Sequence, residues 1–511
     1  MGWIALLLAL LVATAAWDLT QRKHAILRNF PIIGHFRYWL ERIGPELRQY
    51  IVTNNNEERP FSRDQRSWVY ASSKKQNNLF GFGTDMDLEN SPNHLIIKHA
   101  AFPWRPADAV ADTKGGAHTD PLAMVPCAKV LGAWRNRPKA FRPRSIINVS
   151  AMSFGSLSSA AVQALNRGCH IAGALHNTGE GGISPHHDKG GELIWQLGTG
   201  YFGARAPDGR LDLDELRRKC DRYAVRAIEV KLSQGAKPGK GGVLPAAKVT
   251  PEIAAIRGVP VGEPCLSPSF HPEFSDVAGL VELVERIADA TGLPVGIKSA
   301  VGEDVFWDEL AAHMAETERG PDYIFIDGGE GGTGAAPLVF ADRVALPFKV
   351  AFSRVYRAFA QHQLHDKIVF MGAGRLGFPE QTLFAFGLGC DMVSVAREAM
   401  MAIGCIQAQR CHTGHCPAGV ATQNKWLVRG LDPTLKAARL ANYFVALRKE
   451  VLALSHACGV AHPALVGLHH FEIVDDRYGS RPAAHVFDYT QDWSLPSPER
   501  AAEIDAMMQA R

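Results

Sequence analysis

An excess of charge of either sign is missing from this chain: 55 Lys and Arg stand against 52 Asp and Glu, a formal net charge of +3 over 511 residues. So small a net charge does not imply a nucleic-acid partner, and none is expected. A disulfide framework is missing too, since the nine cysteines are an odd number without the spacing of a small stapled scaffold. No Gly-x-Gly-x-x-Gly follows a first strand, which argues against a dinucleotide-binding open sheet. With 46% hydrophobic and 21% charged residues, the chain can bury a large core, and its length suits one main domain with extensions.

Charge is wholly absent from Gly2 to Trp17, GWIALLLALLVATAAW. These sixteen residues fall just short of the roughly 17 to 25 of a spanning helix, and Met1 extends them. The small residues Ala13 to Ala16 also suit a cleaved signal peptide. No Lys or Arg precedes the run, whereas Arg22, Lys23 and Arg28 follow it, and that asymmetry places the C-terminal side in the cytoplasm. The expectation is therefore an uncleaved N-terminal transmembrane helix over 1–17, a single-pass membrane anchor with the catalytic domain in the cytoplasm. Residues 18–140 form an N-terminal extension whose chemistry cannot be read. In it, Leu40, Ile43 and Leu47 have helical spacing, and Pro45 between them predicts a break into short helices. Arg59, Arg63 and Arg66 suit a solvated or domain-packing face.

After Arg144 short apolar runs alternate with Gly-rich turns and helical stretches. Eight candidate strands are IINVSAM (146–152), GALHNT (173–178), AIEVKL (227–232), CLSPS (265–269), PVGIKSA (294–300), YIFIDG (323–328), KIVFMGA (367–373) and DMVSVA (391–396). Several are rich in Val and Ile without strict alternation, as parallel strands buried on both faces require. Helical patterns such as VAGLVELVERIADA lie between them. Eight such units in about 250 residues predict an α/β fold, a TIM (β/α)8 barrel over 141–430, with a doubly wound sheet as the alternative. Beyond it, 431–511 predicts a C-terminal helical segment and a polar tail. Asp432 is the N-cap, Pro433 the first position and Gly459 the stop, while Leu440, Phe444, Leu447, Val451 and Leu454 form one packing face.

In such a barrel the chemistry gathers where strands end, and the glycine clusters fall there. They are SAMSFGSLS (150–158), NTGEGG (177–182), KLSQGAKPGKGG (231–242), DGGEGGTGAAP (327–337) and GAGR (372–375). A phosphate is held by backbone N–H groups of Gly loops after the last strands, which suits Gly372, Gly374, Arg375, Ala396 and Arg397. A flavin ring needs a cation near its pyrimidine side, and Lys231 and Lys298 stand at strand ends. The competing reading makes each a barrel lysine paired with Glu229 or Asp327.

Between Cys405 and Gln423, CIQAQRCHTGHCPAGVATQ spaces three cysteines as C-x5-C-x4-C, with Pro417 after the last. Soft sulfur selects zinc, copper(I) or iron-sulfur centres, and a Cys-Pro pair also recurs in iron-sulfur ligand loops. A zinc site from Cys411, His412, His415 and Cys416, and buried inert cysteines, are the alternatives.

These motifs, spread over residues 145 to 430, resemble the FMN-binding domain of the glutamate synthase family. The resemblance implies a 3Fe-4S cluster on Cys405, Cys411 and Cys416. It implies FMN contacts from Met152, Ser153, Gln163, Asn177, Lys231, Lys298, Gly331, Gly332 and Arg375, and keto-acid contacts from Glu180, Gly235, Lys237 and Arg257, with Glu180 and Lys298 as catalytic residues. The activity implied is reductive amination of 2-oxoglutarate to L-glutamate. The chain departs from the family pattern at Lys240, at Val243, where a polar side chain would touch the keto acid, and at LSPSFHPE (266–273), where the family has paired histidines and an aspartate. Gly2 stands where the family's amidotransferase domain begins with cysteine, and no NAD(P)H fingerprint is seen. The chain thus resembles the stand-alone, membrane-anchored branch, with ammonia or an amine from a separate source and electrons from a ferredoxin or another donor subunit. The alternative is a membrane-anchored flavin and iron-sulfur electron-transfer module without synthase activity.

Overall fold

The computed structural model describes residues 2–88, 91–105, 122–475, 479–490 and 493–509. The chain divides into two compact units, Met1–Trp68 and Val69–Arg511. The expected extension 18–140 includes stretches outside the described residues, as does Met1.

In the first unit, α1 (Gly2–Thr20) is a single apolar helix. At 19 residues it is about 28 Å long, close to the hydrocarbon thickness of a bilayer. It continues past Trp17 because Asp18, though charged, is satisfied: its carboxylate accepts the Ile32 N–H at 2.9 Å and pairs with His35 Nε2 at 2.9 Å. Two further helices follow, α2 (Ala25–Asn29) and α3 (Gly34–Leu47). The break expected at Pro45 does not occur. Proline forfeits one donor and crowds the carbonyl four residues back, but Pro45 falls in the last turn of α3, and the chain then widens into a π-turn over Arg48–Val52. Arg66 is not solvated: it is buried and donates to the buried Glu58 carboxylate at 2.5 Å. Arg63 donates to the Tyr50 carbonyl at 2.9 Å.

The second unit contains a closed, all-parallel barrel of eight strands in sequential order. They are β1 (Ile147–Val149), β2 (His176–Asn177), β3 (Leu193–Leu197), β4 (Val225–Lys231), β5 (Val295–Ser299), β6 (Tyr323–Asp327), β7 (Val369–Ala373) and β8 (Met392–Val395). The TIM barrel is therefore the fold. One strand of the sequence reading needs correction. CLSPS is not a barrel strand; its Cys265–Leu266 pairs antiparallel with Val243–Leu244 in a separate two-stranded sheet. A buried strand there would lose a ladder bond at Pro268, which has no N–H. The barrel instead uses LIWQL of β3, buried at every position.

Leu131 and Phe141, bridged to each other, join a core with Leu175, Ile194, Ala227, Tyr323 and Val369. Outside the barrel, the helix Val277–Thr291 is capped by the Asp276 side chain and stops at Gly292, whose φ of 70° is the left-handed value glycine accepts. The long helix Pro433–Ala457 is capped by Asp432 and packs on Ser159–Ala172. Leu440, Phe444, Leu447 and Val451 are buried, as its periodicity requires, and Leu454 is half-buried. The two helices approach so closely that a Cβ on Gly168 would come within 2.7 Å of Leu440.

Candidate active site

Strand register brings two lysines side by side. Lys231 ends β4 and pairs in register with Lys298 of β5, and both are buried. Lys231 Nζ donates to Gln234 Oε1 at 2.8 Å and lies 3.1 Å from Glu180 Oε2. Lys298 Nζ lies 3.4 Å from Asp327 Oδ2, at the end of β6, and over the Phe325 ring at 4.6 Å. The Asp327 carboxylate also accepts the Gly235 N–H at 3.0 Å. The pairing of Lys298 with Asp327, the bland alternative from sequence, is thus present. It still leaves a buried cation at a strand end.

Beneath the lysines lies Glu229, buried within β4. Its Oε1 accepts from Asn177 Nδ2 at 2.9 Å and Gln196 Nε2 at 2.6 Å, and its Oε2 has no hydrogen-bond partner among the described residues. Burial pushes its carboxyl up, against the Lys298 charge and those two hydrogen bonds. Gln196 belongs to the strand that the sequence reading missed. A polar residue within LIWQL, followed at once by GTG, was the available signal.

Glu180 is surrounded by cations. Burial alone would raise its carboxyl, but Lys231, then Arg257 and Lys237, outweigh it and hold the group below the usual carboxylate range. Burial pushes Lys237 down, and neighbouring Lys231 and Lys240 add to that against Glu180. Lys237 Nζ donates to the Gly241 carbonyl at 2.9 Å. The Arg257 guanidinium, buried at the C-terminal end of the helix Pro251–Arg257, donates to Ser153 Oγ (3.5 Å), the Phe154 carbonyl (3.3 Å) and Cys265 Sγ (3.7 Å). It lies over the Phe202 ring at 5.4 Å, and its Nε has no hydrogen-bond partner among the described residues. Space here is tight: a Cβ on Gly181 would meet Arg257 Nη2 at 2.8 Å. In the neighbouring two-stranded sheet the buried pair Leu244 and Cys265 is on the Arg257 side, whereas Val243 and Leu266, also register partners, are exposed. Val243 therefore stands on the face away from Arg257. Lys240 lies over the Phe340 ring at 5.6 Å.

A relay absent from the sequence reading braces Lys231. His271 Nε2 donates to the Lys231 carbonyl at 2.8 Å, and its Nδ1 meets the Tyr201 hydroxyl at 2.8 Å. No local pattern links these three residues, which come from three separate segments. Met152 is buried, with its N–H 3.5 Å from the Asn177 carbonyl. Ser153 Oγ meets Ser156 Oγ at 2.8 Å, and Gln163 Nε2 meets His186 Nδ1 at 3.3 Å.

The last strands end in a glycine notch. Gly374 (φ 148°) and Arg375 (φ 59°) turn the chain after β7. A Cβ on Gly374 would come within 2.8 Å of Phe348, one on Gly372 within 2.5 Å of the same ring, and one on Gly332 within 3.1 Å of Arg397. Gly331 is looser, with the Gly328 carbonyl 3.3 Å from where its Cβ would be. Arg397, after Ala396, donates to the Glu330 carbonyl. The Glu330 carboxylate accepts the Phe348 N–H at 2.8 Å; burial pushes it up, against that hydrogen bond and the Arg375 charge.

The cysteine loop is less closed than its spacing suggests. Among the described residues no three His, Cys, Asp or Glu side chains gather as a metal-holding group. Burial, with Cys416 adding to it, pushes the Cys411 thiol up against the opposing charge of Lys248, whose Nζ donates to the Cys411 carbonyl at 3.1 Å. Cys405 Sγ accepts the Gln407 N–H at 3.5 Å, and its carbonyl accepts from the Tyr70 hydroxyl at 2.9 Å. Metal ligation and loop folding are coupled, because the bound ion offsets the repulsion between thiolates.

The chain is an α/β-barrel protein with buried lysines and carboxylates at its strand ends, and the comparisons with known proteins make it an oxidoreductase of the class acting on CH–NH2 donors. Residues 131–461 match the conserved region in glutamate synthase, and the chain belongs to the glutamate synthase family. It is 38% identical over 486 residues to the glutamate synthase large subunit-like protein YerD of Bacillus subtilis, covering 89% of this chain and 92% of that protein. It is 35% identical over 351 residues to the archaeal-type glutamate synthase (NADPH) of Thermotoga neapolitana, covering 66% of each. The glutamate synthase (NADPH) large chain of Bacillus subtilis is 31% identical over 323 residues, 60% of this chain but 20% of that one.

Proposed function

We propose that the chain is an FMN-dependent reductive aminase that converts 2-oxoglutarate and ammonia, or an amine from outside the chain, to L-glutamate. The observation that carries this reading is the pair of buried cation clusters at adjacent strand ends: Lys231 beside Lys298, and Lys237 and Arg257 around Glu180. A dicarboxylic keto acid presents two anions, and a guanidinium fork suits one carboxylate through two hydrogen bonds.

A flavin fits the residues present. Glu229 and Arg257 each leave a buried polar atom unpartnered among the described residues. Met152, Ser153, Gln163, Asn177, Gly331 and Gly332 would line the ring, and Gly372, Gly374, Arg375, Ala396 and Arg397 the phosphate. Bound FMN would supply the hydride that reduces the carbon–nitrogen double bond. Lys231 and Lys298 would place positive charge beside the bound ring and favour its reduced, anionic form. Gly235, Lys237 and Arg257 orient the substrate so that transfer becomes effectively intramolecular. Glu180 is held ionised among its cations, so it accepts rather than delivers a proton at neutral pH.

We place a 3Fe-4S cluster on Cys405, Cys411 and Cys416; the C-x5-C-x4-C spacing and the family support it, although the side chains do not gather as a metal-holding group. No catalytic step is assigned to it. A ferredoxin or another donor subunit would supply electrons. The apolar helix α1 supports a single-pass anchor with the barrel in the cytoplasm, since Arg22, Lys23 and Arg28 follow it closely.

The charge reversal at Lys240 favours one second reading, an electron-transfer module that binds no keto acid. The two separate on photoreduced protein titrated anaerobically with 2-oxoglutarate and ammonium. Flavin reoxidation with stoichiometric glutamate is expected; a flavin that stays reduced with every keto acid and amine overturns the aminase.

A further inference from the structure

The helix that follows the apolar segment has a greasy face of its own. In α3 and the residue before it, Ile33, Phe36, Leu40, Ile43 and Leu47 recur at steps of three and four, the period that lines one side of a helix. Trp39 stands beside this stripe, on a ridge that it shares with His35, Arg42 and Glu46 at steps of four, three and four. A soluble protein would bury such a stripe. Here Ile33 is 78% exposed, Phe36 59% and Trp39 55%, and Leu40 and Leu47 are exposed as well. An open groove of about 620 Å³ runs beside them, its apolar wall made by Ile26 and Phe30 of the preceding segment with Ile33, Phe36 and Leu40, and its rim carrying the Arg37–Glu41 ion pair.

Position says what covers this face. Asp18, at the end of α1, accepts the Ile32 N–H at 2.9 Å and pairs with His35 Nε2 at 2.9 Å. The start of α3 is thereby tied to the end of the apolar helix, at the depth where that helix would leave the hydrocarbon. Between residues 18 and 48 the sequence carries six basic residues, Arg22, Lys23, Arg28, Arg37, Arg42 and Arg48, against Asp18, Glu41 and Glu46. Asp18 is committed to His35, and Glu41 to Arg37 at 2.8 Å. Within α3 itself Arg37 and Arg42 are balanced by Glu41 and Glu46, and the basic excess lies in the flanking residues Arg22, Lys23, Arg28 and Arg48; an apolar stripe with an indole beside it in a basic segment suits a helix lying in the plane of a membrane surface.

We propose that α3 is an interfacial helix: it lies on the bilayer that α1 enters, with Phe36 and Leu40 in the acyl-chain region and Arg42 toward water and anionic headgroups. The proposal rests on reading α1 as a membrane span, and it makes the first unit a two-element attachment instead of a single tethering helix. The exposed apolar groove is then a lipid-facing surface.

The test uses the full chain, reconstituted in vesicles of phosphatidylethanolamine and phosphatidylglycerol, with photoreactive benzoylphenylalanine replacing one residue at a time. Positions are Leu8 in α1, Phe36 and Leu40 on the stripe, and Arg42 opposite. After irradiation, mass spectrometry reads lipid adducts, and far-ultraviolet circular dichroism checks that each variant is folded. Adducts at 36 and 40 comparable with those at 8, and several-fold above those at 42, are expected. Adducts at 8 without adducts at 36 and 40, or cross-links from 36 and 40 to other protein segments, overturn the interfacial helix and leave the anchor standing. Equal adducts at 42 overturn the orientation and with it the proposal. Absence of adducts at all four positions overturns the anchor and the proposal together. As a second arm the photoprobe replaces Ile33, where adducts comparable with those at 36 and 40 are expected; Phe36→Glu combined with Leu40→Glu should abolish them while leaving those at position 8, and an undiminished adduct at 33 overturns the proposal.

Discussion

Lys231 and Lys298 are register partners on adjacent strands, yet each faces a different carboxylate, Glu180 at 3.1 Å and Asp327 at 3.4 Å. Two like charges can share one barrel mouth because each brings its own counter-ion. With the proposed flavin bound, removing one cation is expected to have two consequences, one for stability and one for the flavin.

Lys298→Met is expected to leave Asp327 without its cation. Breaking a buried pair by removing one partner costs about 3 to 5 kcal/mol, and a lower urea midpoint at unchanged slope would register it. In protein that still binds FMN, the flavin midpoint potential should become more negative, since a cation that stabilises the reduced anion is gone. A spectroelectrochemical titration that gives the wild-type potential would remove Lys298 from the flavin's surroundings.

Arg257→Ala should raise the apparent constant for the keto acid while FMN content stays the same. Losing a charge-assisted carboxylate contact costs about 1.5 to 3 kcal/mol, which corresponds to roughly 10- to 100-fold in binding. Arg257→Lys should recover only part of the loss, because an ammonium keeps the charge without the planar fork. Steady-state kinetics at saturating ammonium reads both. Equal constants in all three proteins would mean that the substrate carboxylate is held elsewhere.

Acid should destabilise the protein through His187. Burial, followed by the opposing Met152 backbone contact and the nearby His186, brings its imidazole from 6.5 down to about 3. A folded value below the unfolded one means that the unfolded chain takes up the proton first, so stability is intact above pH 6.5 and falls as pH drops toward about 3. In that window each such group contributes a slope of about 1.4 kcal/mol per pH unit. His176, whose ring centroid lies 5.3 Å away, is shifted the same way by burial and by His187. His187→Gln should flatten the pH dependence of the unfolding midpoint between pH 6.5 and 4, by about one group's slope; an unchanged profile would show that His187 does not titrate with folding.

Iron and acid-labile sulfide should be stoichiometric in protein purified without oxygen, with an electron paramagnetic resonance signal from the oxidised 3Fe-4S cluster. Cys405→Ser, Cys411→Ser and Cys416→Ser should each abolish that signal and leave FMN in place. His412→Ala combined with His415→Ala should change neither. Stoichiometric zinc without iron, lost in the histidine variant, would replace the cluster with a Cys2His2 site.

Much of this fold was written locally. Val- and Ile-rich runs without alternation marked the buried parallel strands, as at YIFID of β6. Asp432 and Pro433 marked the start of the long helix, and the glycine clusters fell at strand ends because only backbone without a Cβ fits there. Register then decided what those runs could not. β3 carries Trp195 and Gln196 and so reads less like a Val- and Ile-rich core strand than its neighbours do, although Pro268 within CLSPS and the GTG after LIWQL already favour it. Pro45 breaks no helix because its lost hydrogen bond falls in a last turn. Lys231 meets Lys298, His271 reaches the Lys231 carbonyl and Val243 stands away from Arg257 only through pairings between segments far apart in sequence. The sequence by itself determined which residue types and which periods each segment carries, because propensity and patterning act over a few residues. Tertiary structure alone decided which charges neighbour each other, because register and burial belong to pairs of segments and to no segment singly.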